Sequence, residues 1–132
     1  HTWDEKQLPY QQAPSGVPLV QHSLLLMLQY VQQGKITIEK VVEKMCHAPA
    51  QCFQIAKRGY VREGYHADLV LIKTNGTTKV TKENILYKCG WSPFEGHTFP
   101  ASVEYTFVNG AIAYENGKIN DAVRGQRLTF ER

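Results

Sequence analysis

SVEYTFVNGAIAYENGK, residues 102–118, is two alternating runs of apolar and polar residues on either side of Asn109-Gly110. An Asn-Gly pair readily takes the two positive φ angles of a type I′ turn, so the stretch predicts a β-hairpin. A second Asn-Gly, at 116–117, turns the chain again toward Lys118-Ile119-Asn120. Working back from the hairpin, ADLVLIK (67–73) is a short, nearly continuous apolar run and reads as a buried strand. Residues 59–66 and 119–130 read as shorter strands at the rim. The chain from Gly59 onward is therefore a small β unit.

Before Gly59 the apolar period is helical. In VQHSLLLMLQYVQQGK (20–35), Val20, Leu24, Met27, Leu28 and Val31 recur at helical spacing, and Gly34 stands where a C-cap glycine would. Leu25 and Leu26 widen the apolar face, which predicts burial on more than one side. A second helix is expected after Thr37 as N-cap, with Glu39 in its first turn and Ile38, Val41, Val42 and Met45 as its inner face. HAPAQCFQIAKRG (47–59) predicts a short third helix with Pro49 at its start and Lys57 and Arg58 near its end. Residues 1–19, broken by Pro9, Pro14, Gly16 and Pro18, read as loop. Helices with so little sheet of their own need a further apolar surface, which suggests a piece of something larger.

The composition, 42% hydrophobic and 20% charged, is that of a soluble globular protein. A net charge of +3, with Lys and Arg mostly single, argues against nucleic acid. No apolar run approaches the roughly 18 residues of a membrane span, and no leader pattern opens the chain. Cys46, Cys52 and Cys89 are an odd count without metal-like pairing, which suits reduced thiols in a cytoplasm. Cys46 and Cys52 lie on apolar helical positions and read as buried. His1, His22, His47, His66 and His97 show no metal-ligand spacing. Asp4, Glu5 and Lys6 read as solvated loop surface, and Asp68 as a residue that fixes a turn. No nucleophile motif or phosphate loop is present. KCGWSPFEGHTFP (88–100) is an extended segment pinned by Pro93, Gly96 and Pro100. It reads either as a binding loop or, the preferred reading, as a connector whose Trp91, Phe94 and Phe99 plug onto a neighbouring surface.

Taken together, several stretches resemble the C-terminal part of the dihydroorotases, cyclic amidohydrolases of the amidohydrolase superfamily. HAPAQCFQI (47–55) followed by GYVREGYHADLVLI (59–72) resembles the segment that links the last barrel helix to the β-sandwich in that superfamily. Ser92-Pro93-Phe94-Glu95-Gly96 and the hairpin ending Val108-Asn109-Gly110 resemble its continuation. The opening HTWDEKQLPYQQAPSG (1–16) resembles the dihydroorotase loop: a last motif histidine, Glu-Lys, then Ala-Pro-x-Gly before a helix.

The resemblance implies an α/β fold: the C-terminal piece of a metal-dependent (β/α)8 barrel hydrolase, with part of its small β-sandwich. Residues 1–58 would be the terminal loop and outer helices of the barrel, and 59–132 the C-terminal part of the sandwich. It also implies site residues. His1 would bind the substrate carboxylate, and Ser15 and Gly16 would contact the dihydropyrimidine ring through their backbone; Ser15 replaces a frequently aromatic residue. A catalytic aspartate is expected just upstream of His1, so this chain supplies no catalytic and no metal-binding residue. The implied cofactor is a binuclear zinc centre, its ligands also upstream. The implied reaction is zinc-dependent, reversible hydrolysis of dihydroorotate to N-carbamoyl-L-aspartate in pyrimidine biosynthesis. The expected partners are that substrate pair and the N-terminal barrel portion, with a homodimer among the allowed assemblies and neither nucleic acid nor membrane. The chain alone is expected to be inactive. Other readings are a hydantoinase (dihydropyrimidinase), an allantoinase, a non-catalytic assembly partner with the same fold, and, least favoured, a free-standing β-rich binding module.

Overall fold

A computed structural model describes residues 1–131. Four short α-helices come first: α1 (Trp3–Lys6), α2 (Ser23–Gln32), α3 (Ile38–Val42) and α4 (Ala48–Cys52). Six strands follow: β1 (Leu69–Lys73), β2 (Thr78–Lys79), β3 (Thr98–Phe99), β4 (Ser102–Val108), β5 (Ala111–Glu115) and β6 (Lys118–Ile119). Strands β1, β4, β5 and β6 form one antiparallel sheet in the order β1-β4-β5-β6, while β2 and β3 pair separately.

The predicted turns and caps are present because each is a local requirement. Asn109 (φ 50) and Gly110 (φ 83) close the β4–β5 hairpin, and Asn116 (φ 44) and Gly117 (φ 88) turn β5 into β6. Beyond Gly34 (φ 69) the Lys35 N–H bonds the Tyr30 carbonyl and the Gly34 N–H the Val31 carbonyl. These two bonds are the glycine-capped helix end that the sequence predicts. Thr37 Oγ1 accepts from the Lys40 N–H at 3.3 Å, as an N-cap should.

Several expectations need correction. Val20 lies before α2 and is 87% exposed, and of the α2 face only Leu25 and Leu28 are fully buried. Of the predicted inner face of α3, only Val41 is buried. The second and third helices are not separate: Glu43–His47 is a π-helical turn that runs α3 into α4. Strand β1 forms, but Leu69, Val70 and Leu71 are exposed, because helices cover little of its surface. Residues 59–66 are turns and extended backbone, and within 119–130 the described structure has only the end of β6 and a single bridge from Phe130 to Ile55. Residues 1–19 are not all loop. Thr2 and Glu5 form a reciprocal capping box that starts α1, a pattern legible in the sequence and overlooked beside Asp4 and Lys6.

The core is shared between the helical and the β regions. Leu25 and Leu28 of α2 pack with Val80, Phe99 and Ala101, and Leu24, Leu26, Ile72, Ile85, Phe94 and Val103 close around them. Polar contacts fix the same arrangement: His97 Nε2 meets Gln29 Oε1 at 2.8 Å, and Gln32 Nε2 donates to the Pro100 carbonyl at 2.6 Å. The preferred reading of 88–100 as a connector with plugging aromatics describes Phe94 and Phe99, whose rings meet edge to face at 5.2 Å. Asp68 does fix a turn, but a remote one. It pairs with Arg58 and accepts the Asn109 N–H at 2.8 Å, tying the hairpin to the segment that leaves α4.

Candidate functional site

The three residues singled out for substrate contact, His1, Ser15 and Gly16, line a single open cavity of about 260 Å³ together with Lys6, Cys89 and Trp91. That volume lies just below the range of small-molecule sites, roughly 300–1,000 Å³. Ser15 and Gly16 are exposed, in irregular backbone just after Pro14. Gly16 has φ +92 and nothing within 4 Å of where a Cβ would stand. The backbone there is open to a ligand and held in a conformation that suits glycine.

His1 is positioned from two sides. Glu5 Oε2 lies 3.5 Å from His1 Nδ1, both side chains half exposed, so Nε2 is the ring nitrogen left for a ligand. The indole Nε1–H of Trp91 donates to the His1 carbonyl at 3.0 Å, and the Trp91 ring packs against Trp3 at 5.7 Å. Lys6 donates through Nζ to the Pro14 carbonyl, closing the loop just before Ser15. Lys6 and Trp91 thus join the three candidates at this cavity, Trp91 from the 88–100 segment whose less favoured reading is a binding loop. In sequence Lys6 reads as solvated surface, and nothing local marks Trp91, 90 positions from His1, as its neighbour.

The remaining candidates lie elsewhere. Cys46 and Cys52 are exposed, contrary to the expected burial, as are Ile38, Val42 and Met45 of the same helical run, because no neighbouring surface covers that face here. Cys89 is half-buried at the cavity wall. His47 stacks on Tyr60 at 4.2 Å. Among the described residues no three His, Cys, Asp or Glu side chains come together closely enough to hold a metal ion. The donors among the described residues do not by themselves make up a zinc site.

His22 is the most buried histidine, 1% exposed, with Ser92 Oγ at 3.2 Å from Nδ1 and the rings of Tyr87, Phe94 and Phe99 around it. Burial disfavours its charged form and lowers its pKa from the ordinary 6.5. The unfolded chain then takes up this proton first as pH falls. The stability tied to neutral His22 is complete above about 6.5 and is lost progressively below it. The urea midpoint is expected to drop between pH 7.5 and 5.5, and a His22→Gln variant to lose that part of the slope. An unaltered slope in the variant would remove His22 as its source.

The amidohydrolase family profile matches residues 15–113, well over half of the chain. The chain belongs to the amidohydrolase family. Among curated relatives, a dihydroorotase of Pyrococcus horikoshii is 31% identical over 131 residues, covering 99% of this chain and 30% of its own length. A dihydroorotase of Halobacterium salinarum is 33% identical over 122 residues, covering 91% of this chain and 28% of its own length. Of solved structures, the L-hydantoinase of Arthrobacter aurescens superposes with TM-score 0.79 at 31% identity, over 90% of this chain and 27% of the hydantoinase. The D-hydantoinase of a Thermus species superposes with TM-score 0.80 over 91% of this chain and 27% of its own, at 20% identity, a likeness of fold. The chain thus spans about three tenths of the curated relatives it matches, and its mixed helix and sheet is that of part of the amidohydrolase fold. No helix among the described residues is long and apolar enough to cross a membrane.

Proposed function

We propose that this chain is the C-terminal part of a dihydroorotase, an enzyme that reversibly hydrolyses dihydroorotate to N-carbamoyl-L-aspartate in pyrimidine biosynthesis. The observation that carries the reading is the meeting of His1, Ser15 and Gly16 around one cavity. A dihydropyrimidine bearing a carboxylate is flat and rich in amide groups. Exposed main-chain donors and acceptors at Ser15 and Gly16 suit its ring, and the Nε2–H of a protonated His1, with Nδ1 facing Glu5, suits its carboxylate. On this reading residues 1–58 belong to the barrel and 59–132 to the sandwich of a cytoplasmic enzyme. The zinc pair and the proton-shuttling aspartate lie with residues outside these 132, and this chain by itself is inactive.

The test is His1→Ala in the intact protein, assayed with dihydroorotate and in parallel with dihydrouracil, the same ring without the carboxylate. Losing one charge-assisted hydrogen bond is expected to raise KM for dihydroorotate roughly 10- to 100-fold. The dihydrouracil assay should change little. An unchanged KM for dihydroorotate would sink the assignment, and equal losses on both rings would favour a hydantoinase-type substrate.

A further inference from the structure

The two contacts that hold the loop of residues 1–16 go beyond the residues that would touch the substrate. The His1 main chain is gripped by an indole from the 88–100 connector, while the Pro14 main chain is gripped by the Lys6 ammonium at the end of α1. The loop therefore has one arm ending in His1 and another ending in Ser15 and Gly16, each fastened by one donor to one backbone carbonyl. We propose that Trp91 and Lys6 are positioning residues for this site. Trp91 sets the placement of the His1 imidazole, and Lys6 sets that of the Ser15-Gly16 backbone.

The geometry argues for positioning over simple stability. Of the two gripped residues His1 is exposed and Pro14 only half-buried, so neither donor secures a core group. The Trp91 ring rests on Trp3, the first residue of α1, and so fixes the start of the same helix whose last residue is Lys6. The capping box of Thr2 and Glu5 closes the one helical turn between them. A loop held open in its binding geometry loses less freedom when ligand arrives, which appears as affinity.

The inference rests on the dihydroorotase reading, and the experiment separates the two. Trp91→Phe keeps an aromatic ring and removes the donor; Lys6→Met keeps the stem and removes the charge, and Lys6→Arg restores a donor. In the intact protein, Trp91→Phe and Lys6→Met are each expected to raise KM for dihydroorotate roughly five- to tenfold, the worth of one lost hydrogen bond. kcat and the melting temperature should hold, and Lys6→Arg should recover most of the loss. The double variants are decisive. Trp91→Phe should add almost nothing once His1 is Ala, since its effect travels through that imidazole, while Lys6→Met should multiply with His1→Ala because it serves the other arm. If His1→Ala raises KM but Trp91→Phe and Lys6→Met do not, the positioning inference is overturned and the dihydroorotase reading stands. Losses that multiply for Trp91→Phe and His1→Ala likewise overturn the part assigned to Trp91. An unchanged KM in His1→Ala overturns the reading itself, and the role of Trp91 with it.

Discussion

Phe99→Ala is expected to destabilise the fold by about 3–5 kcal/mol, the largest effect of any substitution considered. Phe99 is fully buried, in a two-stranded pair with β2, and its ring touches Phe94 at 5.2 Å, His97 at 4.5 Å and His22 at 6.0 Å. Truncation removes the apolar surface that covers Leu25 and Leu28 of α2. It leaves a hole whose walls are held by backbone hydrogen bonds, so collapse recovers little. It also uncovers His22, whose lowered pKa should then move back toward 6.5. Urea denaturation at pH 7.5 measures the first effect and titration of the His22 ring by NMR the second. A loss below about 1 kcal/mol would mean that the core does not centre on Phe99.

The second large effect is expected at Gly59. This residue has φ +80, and a Cβ there would stand 2.5 Å from Ala50 Cβ and 2.8 Å from the Cys46 carbonyl oxygen. Neither neighbour can swing away, since one is the first atom of a helical side chain and the other is backbone. Strain in φ and the clash together are expected to cost Gly59→Ala about 2–4 kcal/mol. A companion Ala50→Gly removes the nearest contact at the price of helix propensity, so the double variant should lose less than the sum of the two single variants. Simple additivity in the denaturation midpoints would show that the Ala50 contact carries none of the loss, leaving it to the φ angle and the Cys46 carbonyl.

The site was legible in pieces and illegible as a whole. The resemblance of residues 1–16 to the dihydroorotase loop implies His1, Ser15 and Gly16 one by one, because that loop is contiguous in the chain. Their convergence on one cavity with Trp91 depends on where the 88–100 connector runs, and no spacing encodes that. The thiols show the opposite failure. Cys46 and Cys52 follow a helical apolar period that would bury them, but with Ile38, Val42 and Met45 they face solvent, since a period marks a face and not the surface that covers it.

What the sequence determined by itself is what one residue or one short motif can require. The positive φ angles at Asn109-Gly110 and Asn116-Gly117, the Gly34 and Thr37 caps, the order of helices before strands and the resemblance to amidohydrolases all fall in this group. The tertiary structure decided everything that depends on which distant surfaces meet. It buried His22 against Ser92, 70 residues away, joined Arg58 to Asp68 and the hairpin, left the face of β1 exposed, and brought Trp91 to His1. The physical reason is that backbone angles and caps are set by energies within a few residues, whereas burial is a property of the partner surface.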